Sequence, residues 1–330
     1  MQYDGEASAP HEDLVHSALS YGSDEGFMQA AVPFIEEGVE AGEPTLIAVQ
    51  GQNVENLRGA LGGEPEGVTL LSVDEWYENS ARTRDKFGRW VRERVDSGRV
   101  RMMAERARLM GEPPWADGSE AQIRDWARHE SVINVAFSGL PVSVVCPYDS
   151  RSLPPEVLEH AHSTHPLIAD ADGLVENGGY EDPHQFCRRL NSRVRRPEGE
   201  PETELDFNLA DLRKVRRMVT SMAVASGLSG SRADELALAV NEIASNAVVH
   251  GRPPATLRIW QEDGELIYEV SDAGEGIEDV LAGQLTPPSA GIGGRGIWLS
   301  RMLGDAVEIR NGSGCTVSIH AKAPALAVAG

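Results

Sequence analysis

Residues 195–204 read RRPEGEPETE, ten residues with two prolines, four glutamates and no apolar side chain. Nothing in such a stretch can be buried, so no hydrophobic core runs through it, and it reads as a linker. The patterns on its two sides differ. Before it, strand-length apolar runs alternate with helix-length segments: helix 24–44, strand 45–50, helix 54–63, strand 67–73, helix 85–98, strand 100–105, helix 118–137 and strand 141–149. That alternation predicts a parallel or mostly parallel sheet with helices on its faces. After it come two long helices, 209–228 and 232–251, then a hairpin over 256–272 turning at Asp263-Gly264, then a hairpin over 305–323. Helices followed by antiparallel strands predict an α+β two-layer sandwich. The expected division is a tail (1–12), an α/β domain (13–196), a linker (197–204), an α+β domain (205–323) and a second tail (324–330).

The chain's 330 residues suit about two domains of roughly 150 residues each. Of the net charge of −22, −18 falls on residues 1–204 and −4 on 205–330. Such acidity excludes a nucleic acid or an anionic membrane surface as the main partner. Cys146, Cys187 and Cys315 are odd in number and scattered, with no C-x-x-C, which argues against a disulfide framework or zinc knuckle. No run of about 18 apolar residues is present to span a membrane. The polar, acidic start MQYDGEASAPHED is unlike a signal peptide, so a reducing cytoplasm is expected.

The segment NEIASNAVVH carries Glu242, Asn246 and His250 every fourth residue, in one row along a helix face. Alone, such a row could be a solvated stripe. Three further features follow it. The first hairpin ends in Asp272-x-Gly274-x-Gly276, Gly294-x-Gly296 opens a helical pattern, and Thr316 starts a late strand. His250 reads as a histidine near exposed carbonyls at a helix C-terminus. Arg295 reaches either phosphate or solvent.

In that order and spacing, the four features resemble the boxes of the GHKL ATPase superfamily, the Bergerat fold. More narrowly, LAVNEIASNAVVHG and GGRGIWLSRMLGD resemble the anti-sigma-factor serine/threonine kinases of bacteria. The resemblance covers about 205–322 and implies ATP and Mg²⁺ as cofactors. By it, Asn246 gives an amide oxygen to Mg²⁺, which prefers hard oxygen ligands. Glu242, one turn earlier, accepts the proton of an attacking hydroxyl. Asp272 receives the adenine amino group, and Gly274 and Gly276 let the backbone approach the base. Gly294, Arg295 and Gly296 lie at the phosphates with a helix N-terminus. Thr316 supports Asp272 or a water beside the base.

Several other motifs lead elsewhere or nowhere. GIGGRG (291–296) matches a dinucleotide fingerprint in letters only, because loop precedes it rather than a strand. Glu130 and Asn134 in HESVINVAF repeat the helix spacing without a following D-x-G-x-G. His160, His162 and His165 in EHAHSTHP fit no standard zinc spacing and read as a polar helix end before Pro166. CRRLNSRVRR (187–196) reads as a basic helix end.

Residues 14–170 resemble the MEDS sensory domain through HSALSYGSDEGFMQAAVPFIEEGVEAGEPTLIAV, HESVINVAFSGLPVSVVCPYD and THP. The resemblance implies an unknown small-molecule ligand. The polar or reactive residues in the matching pieces are His16, Tyr21, Glu130, Asn134, Cys146 and Tyr148. Taken singly, each reads as a buried, hydrogen-bonded core residue, and Cys146 as inert core.

The two resemblances together imply a cytoplasmic regulator of transcription. Its sensory domain would control a kinase that phosphorylates an anti-anti-sigma (STAS-type) protein and binds a sigma factor, with homodimer formation left open. Three other readings compete. A catalytically idle binding domain would not need Glu242 and Asn246. A histidine kinase would need a phosphoacceptor helical hairpin before its ATP domain. A mechanical ATPase would need a long lid, and only 277–290 lie before the second glycine box.

Overall fold

The computed structural model describes residues 14–95, 106–115, 118–170, 173–262, 264–287 and 294–324. The chain divides into two compact units. One takes residues up to 78, 83–117 and 129–183; the other takes 79–82, 118–128 and 184 onward. The strand expected at 100–105, the turn residue Asp263, Gly291–Gly293 of GIGGRG, the tail 1–12 and most of the tail 324–330 lie outside the described residues.

The first sheet comprises β1 (Leu14–Tyr21), β2 (Thr45–Val49), β3 (Val68–Ser72), β4 (Ala107–Gly111), β5 (Val142–Asp149), β6 (Leu167–Asp170) and β7 (Gly173–Glu176). Their order is β3-β2-β4-β5-β1-β6-β7. All neighbours pair in parallel except β6 and β7. The connecting helices are α1 (Asp24–Ala41), α2 (Gly51–Leu61), α3 (Val73–Trp76), α4 (Ser80–Val95), α5 (Glu120–Ala136) and α6 (Pro155–Thr164). Local signals delimit α1. Ser23 caps it by accepting from the Gly26 N–H at 3.0 Å, and Gly42 ends it in the left-handed region. Phe27, Ala31 and Ile35 recur every four residues and are fully buried. β2 is buried along its whole length, as expected for a strand covered on both faces.

The second unit begins with α7 (Pro183–Asn191) and β8 (Thr203–Phe207), then α8 (Leu212–Ala225), α9 (Gly230–Val249), β9 (Ala255–Glu262), β10 (Glu265–Asp272), α10 (Arg295–Leu303), β11 (Ala306–Asn311) and β12 (Cys315–Lys322). Its sheet is antiparallel throughout, in the order β11-β12-β10-β9-β8. β8 starts at Thr203, inside the stretch read as linker. Leu205 and Phe207 just downstream give it apolar anchors opposite Leu257 and Ala255. One sheet face, carrying Leu266, Tyr268, Val270, Val317 and Ile319, packs on Val215 and Val219 of α8 and on Leu236, Val240 and Ile243 of α9. The other face carries Glu269, which is buried and paired with Arg258 and Arg310. Among the described residues no helix is long and apolar enough to cross a membrane.

Candidate functional site

A cavity of about 440 Å³ opens between the end of α9, the loop after β10 and the start of α10. Its walls include Asn246, His250, Asp272, Gly274, Gly276 and Cys315. α9 positions the first two. Ser229 caps that helix by accepting from Arg232 N–H at 3.2 Å, and its apolar stripe fixes its rotation against the sheet. The row of Glu242 and Asn246 is thereby left half-buried at the helix edge.

Asp272 ends β10. Its Oδ1 accepts the Gly274 N–H at 2.7 Å, which leaves the second carboxylate oxygen for another donor. Backbone crowds it: a Cβ on Gly274 would lie 2.7 Å from Oδ1, and one on Gly251 would run into the carboxyl group. Gly276 takes φ of 90°, which a side chain resists. The Asn311 side chain clamps the loop from both sides, accepting from Ile277 N–H at 3.1 Å and donating to Ile277 C=O at 2.7 Å.

α10 closes the other end. Gly294 caps it in the left-handed region, with φ of 74°. Ser300 Oγ donates to the Ala239 carbonyl at 3.0 Å and pins α10 to α9. A Cβ on Gly296 would sit 2.9 Å from Asn246 Nδ2 and 3.4 Å from Glu242 Oε2. The second glycine box and the polar helix row therefore face the same small space, with the exposed Arg295 beside it. Buried Arg301 donates to the Ala282 carbonyl at 3.1 Å and the Val307 carbonyl at 2.8 Å, fastening the preceding loop.

One expected residue is misplaced. Thr316 pairs with Ser271, whereas Cys315 pairs with Asp272. Successive strand residues point to opposite faces, so Thr316 lies on the far side of the sheet and Cys315 and Val317 line the cavity. Burial, then the Asp272 charge, push the Cys315 thiol up to about 11. Asn311, Gly251 and Cys315 belong to the site but lie outside the four boxes. His250 ends α9, is exposed, and borders the cavity.

In the first unit, five of the six candidates gather and Tyr21 stands apart. His16 (β1), Glu130 (α5) and Cys146 (β5) meet in the core, joined by His165 just after α6. Asn134, one turn after Glu130, bonds His16 Nδ1 at 3.0 Å. Tyr148 rests edge-on against the His165 ring at 5.7 Å between centroids. Tyr21 instead donates to Glu112 Oε1 at 2.8 Å, and Glu112 Oε2 accepts the Gln50 N–H at 3.0 Å. Burial, then His165, lower His16 to about 4. Burial would raise Glu130, but the imidazoles of His16 and His165 beside it hold it below the usual carboxylate range. Burial and Glu130 push the Cys146 thiol upward. His165 is thus no mere helix end, contrary to the reading of EHAHSTHP. Its partners come from three other elements, so no local spacing announces it.

An antiparallel sheet under two long helices, with a carboxylate and glycine turns lining a cavity, makes an α+β module with a pocket of small-molecule size; an α/β module with a mostly parallel sheet precedes it. Residues 205–320 match the histidine kinase-like ATPase domain family and residues 15–166 match the MEDS family, described as the methanogen/methylotroph, DcmR sensory domain. The chain carries an N-terminal MEDS domain and a C-terminal histidine kinase-like ATPase domain. No curated protein matches it. Among solved structures, the RsbU and RsbW domains of a Mycobacterium tuberculosis protein are similar at 18% identity, with a TM-score of 0.28, over 39% of this chain and 34% of that one. The chain thus spans about a third of that structure's length.

Proposed function

We propose that this chain is an anti-sigma-type serine/threonine kinase regulator whose MEDS domain controls a Mg·ATP-dependent phosphotransfer to a STAS-type antagonist protein. The observation that carries the reading is the convergence of Glu242 and Gly296 on Asn246, which lines the same cavity as Asp272.

The residues present fit Mg·ATP. The cavity lies within the roughly 300–1,000 Å³ of small-molecule sites. Asp272 in its wall offers a second carboxylate oxygen to an exocyclic amino group. Asn246 offers a hard oxygen of the kind Mg²⁺ takes. The N–H groups at the start of α10 suit phosphate. The nucleotide, when bound, supplies the transferable phosphoryl group, and the metal neutralises its charge. Asn246 orients that end. Glu242 holds the proton leaving a Ser or Thr hydroxyl. Arg252 and Arg295, both exposed, add positive charge at the rim. The same domain would bind a sigma factor, and the MEDS domain a small molecule. The MEDS and ATPase family matches, with the narrower likeness of LAVNEIASNAVVHG and GGRGIWLSRMLGD, support this reading.

The test is incubation of the full chain with γ-labelled ATP, Mg²⁺ and a panel of STAS-type proteins. Acid-stable label on a Ser or Thr of one panel member is expected. Label confined to this chain in acid-labile form would make it a histidine kinase. Binding of ATP without transfer to any panel member would make it an idle binding domain.

A further inference from the structure

We propose that His16, Glu130, Cys146 and His165 form a closed site for one divalent ion of the zinc class. The four side chains come from β1, α5, β5 and the end of α6, and all are buried. Their ligand atoms lie within 4.8 Å of one another.

Three of the six separations are those of a coordination shell. Cys146 Sγ to His16 Nε2 is 3.5 Å, His16 Nε2 to Glu130 Oε2 is 3.6 Å, and His165 Nε2 to Glu130 Oε2 is 3.4 Å. A tetrahedral ion about 2.0–2.2 Å from nitrogen and oxygen and about 2.3 Å from sulfur sets its ligands about 3.3–3.6 Å apart. A proton shared between imidazole and carboxylate would instead draw them to about 2.7–2.9 Å.

The outer partners fix where the lone pairs point. Asn134 Nδ2 donates to the carbonyls of Thr164 at 2.8 Å and Ser131 at 3.2 Å. Its Oδ1 is therefore the acceptor facing His16, and His16 Nδ1 carries the hydrogen. His165 Nδ1 lies 2.9 Å from the Ala161 carbonyl, which can only accept, so it too carries the hydrogen. Both Nε2 atoms then aim bare lone pairs at the carboxylate and the sulfur. Neither Glu130 Oε2 nor His165 Nε2 has a hydrogen-bond partner. Two facing acceptors buried without a donor are costly, and a cation between them removes that cost. Ligating histidines held through their other nitrogen are the usual arrangement around such an ion.

Two nitrogens, one sulfur and one carboxylate favour Zn²⁺, with Co²⁺ as a spectroscopic substitute, over the oxygen-seeking Mg²⁺ and Ca²⁺. The adjoining hollow, touching Glu130 and Cys146, holds only about 10 Å³, about one water. Loading exchanges the Cys146 S–H bond for a metal–sulfur bond and releases one proton to solvent.

The full chain, stripped with a chelator and dialysed, would be titrated with Zn²⁺ and with Co²⁺. One equivalent should bind, with one proton released and, for Co²⁺, thiolate-to-metal charge-transfer absorption plus the intense visible bands of a tetrahedral nitrogen and sulfur site. Cys146→Ser should abolish the charge-transfer band. Asn134→Ala, a positioning change, should weaken affinity about 10–100-fold. Wild-type circular dichroism in Cys146→Ser and in His16→Gln, which should also lose the ion, separates lost ligation from lost folding. Should a variant unfold, the wild-type cobalt spectrum and proton count decide alone. Wild-type protein that binds no equivalent tightly, or that shows only weak octahedral bands from its acidic surface, would overturn the proposal.

Discussion

Cys315 stands directly opposite Asp272 in the β10–β12 ladder, where the four-box resemblance places the work of Thr316. The thiol is buried, and with its pKa near 11 it stays protonated beside the carboxylate. A thiol is a weak donor, so Cys315 shapes the cavity wall more than it bonds the base. Thr316→Val should therefore change Mg·ATP affinity by no more than about twofold, the scale of a neutral surface substitution. Cys315→Phe fills the cavity and should cost about tenfold or more, in line with overpacking. Calorimetry on both variants checks this. A large loss with Thr316→Val alone would return the role to that residue.

Gly296 leaves open the space between α10 and the Glu242–Asn246 row. Gly296→Val would place its Cβ 2.9 Å from Asn246 Nδ2 and its methyls closer still. Nucleotide affinity should fall about 5–150-fold, the equivalent of about 1–3 kcal/mol of overpacking. Unchanged binding of Mg·ATP would mean that phosphate does not lie there.

The parts of this site that were legible in sequence are those carried by local periodicity. The row on α9 shows because a helix repeats every 3.6 residues, and Asp272-x-Gly274-x-Gly276 because a tight turn demands small residues. What escaped depends on pairing across space. A one-residue difference in register flips a strand residue to the opposite face, and only the pairing shows that Cys315, not Thr316, stands opposite Asp272. Asn311 is one asparagine among several until β11 sets it beside Ile277. His165 reaches its partners through β1, α5 and β5, which no spacing within EHAHSTHP encodes. β1 itself, LVHSALSY, mixes polar and apolar residues, since His16 and Ser17 are buried through partners rather than through hydrophobicity.

His320, on the sheet face away from the cavity, has Nδ1 3.3 Å from Glu265 and Nε2 3.5 Å from Glu308. Burial alone would lower its pKa, but hydrogen bonds and charge from the two glutamates raise it to about 9. A group whose folded pKa exceeds its unfolded value, here 6.5, binds more protons when folded. Its stabilisation is complete below about pH 6.5 and is lost as pH rises through about 9. Urea unfolding of the wild type should show stability falling across that window, and His320→Gln should flatten the fall. Identical pH profiles for the two proteins would show that His320 stays neutral in the sheet.

Glu242 and Asn246 share one face of α9, yet the proposed roles make their losses different in kind. Glu242→Gln keeps shape and hydrogen bonding and removes only the proton acceptor. It should leave Mg·ATP affinity nearly intact and slow transfer by about 10²–10⁴-fold, the usual worth of a positioned base. Asn246→Ala deletes an oxygen that Mg²⁺ would use, so affinity and transfer should fall together. Positioning of the phosphoryl group accounts for much of the catalysis in such transfers, so the second variant should also lose discrimination between Mg·ATP and metal-free ATP. Single-turnover transfer, measured beside calorimetric binding, separates the two. If Glu242→Gln transfers at the wild-type rate, the acceptor of the hydroxyl proton lies elsewhere, and the face it shares with Asn246 serves binding alone.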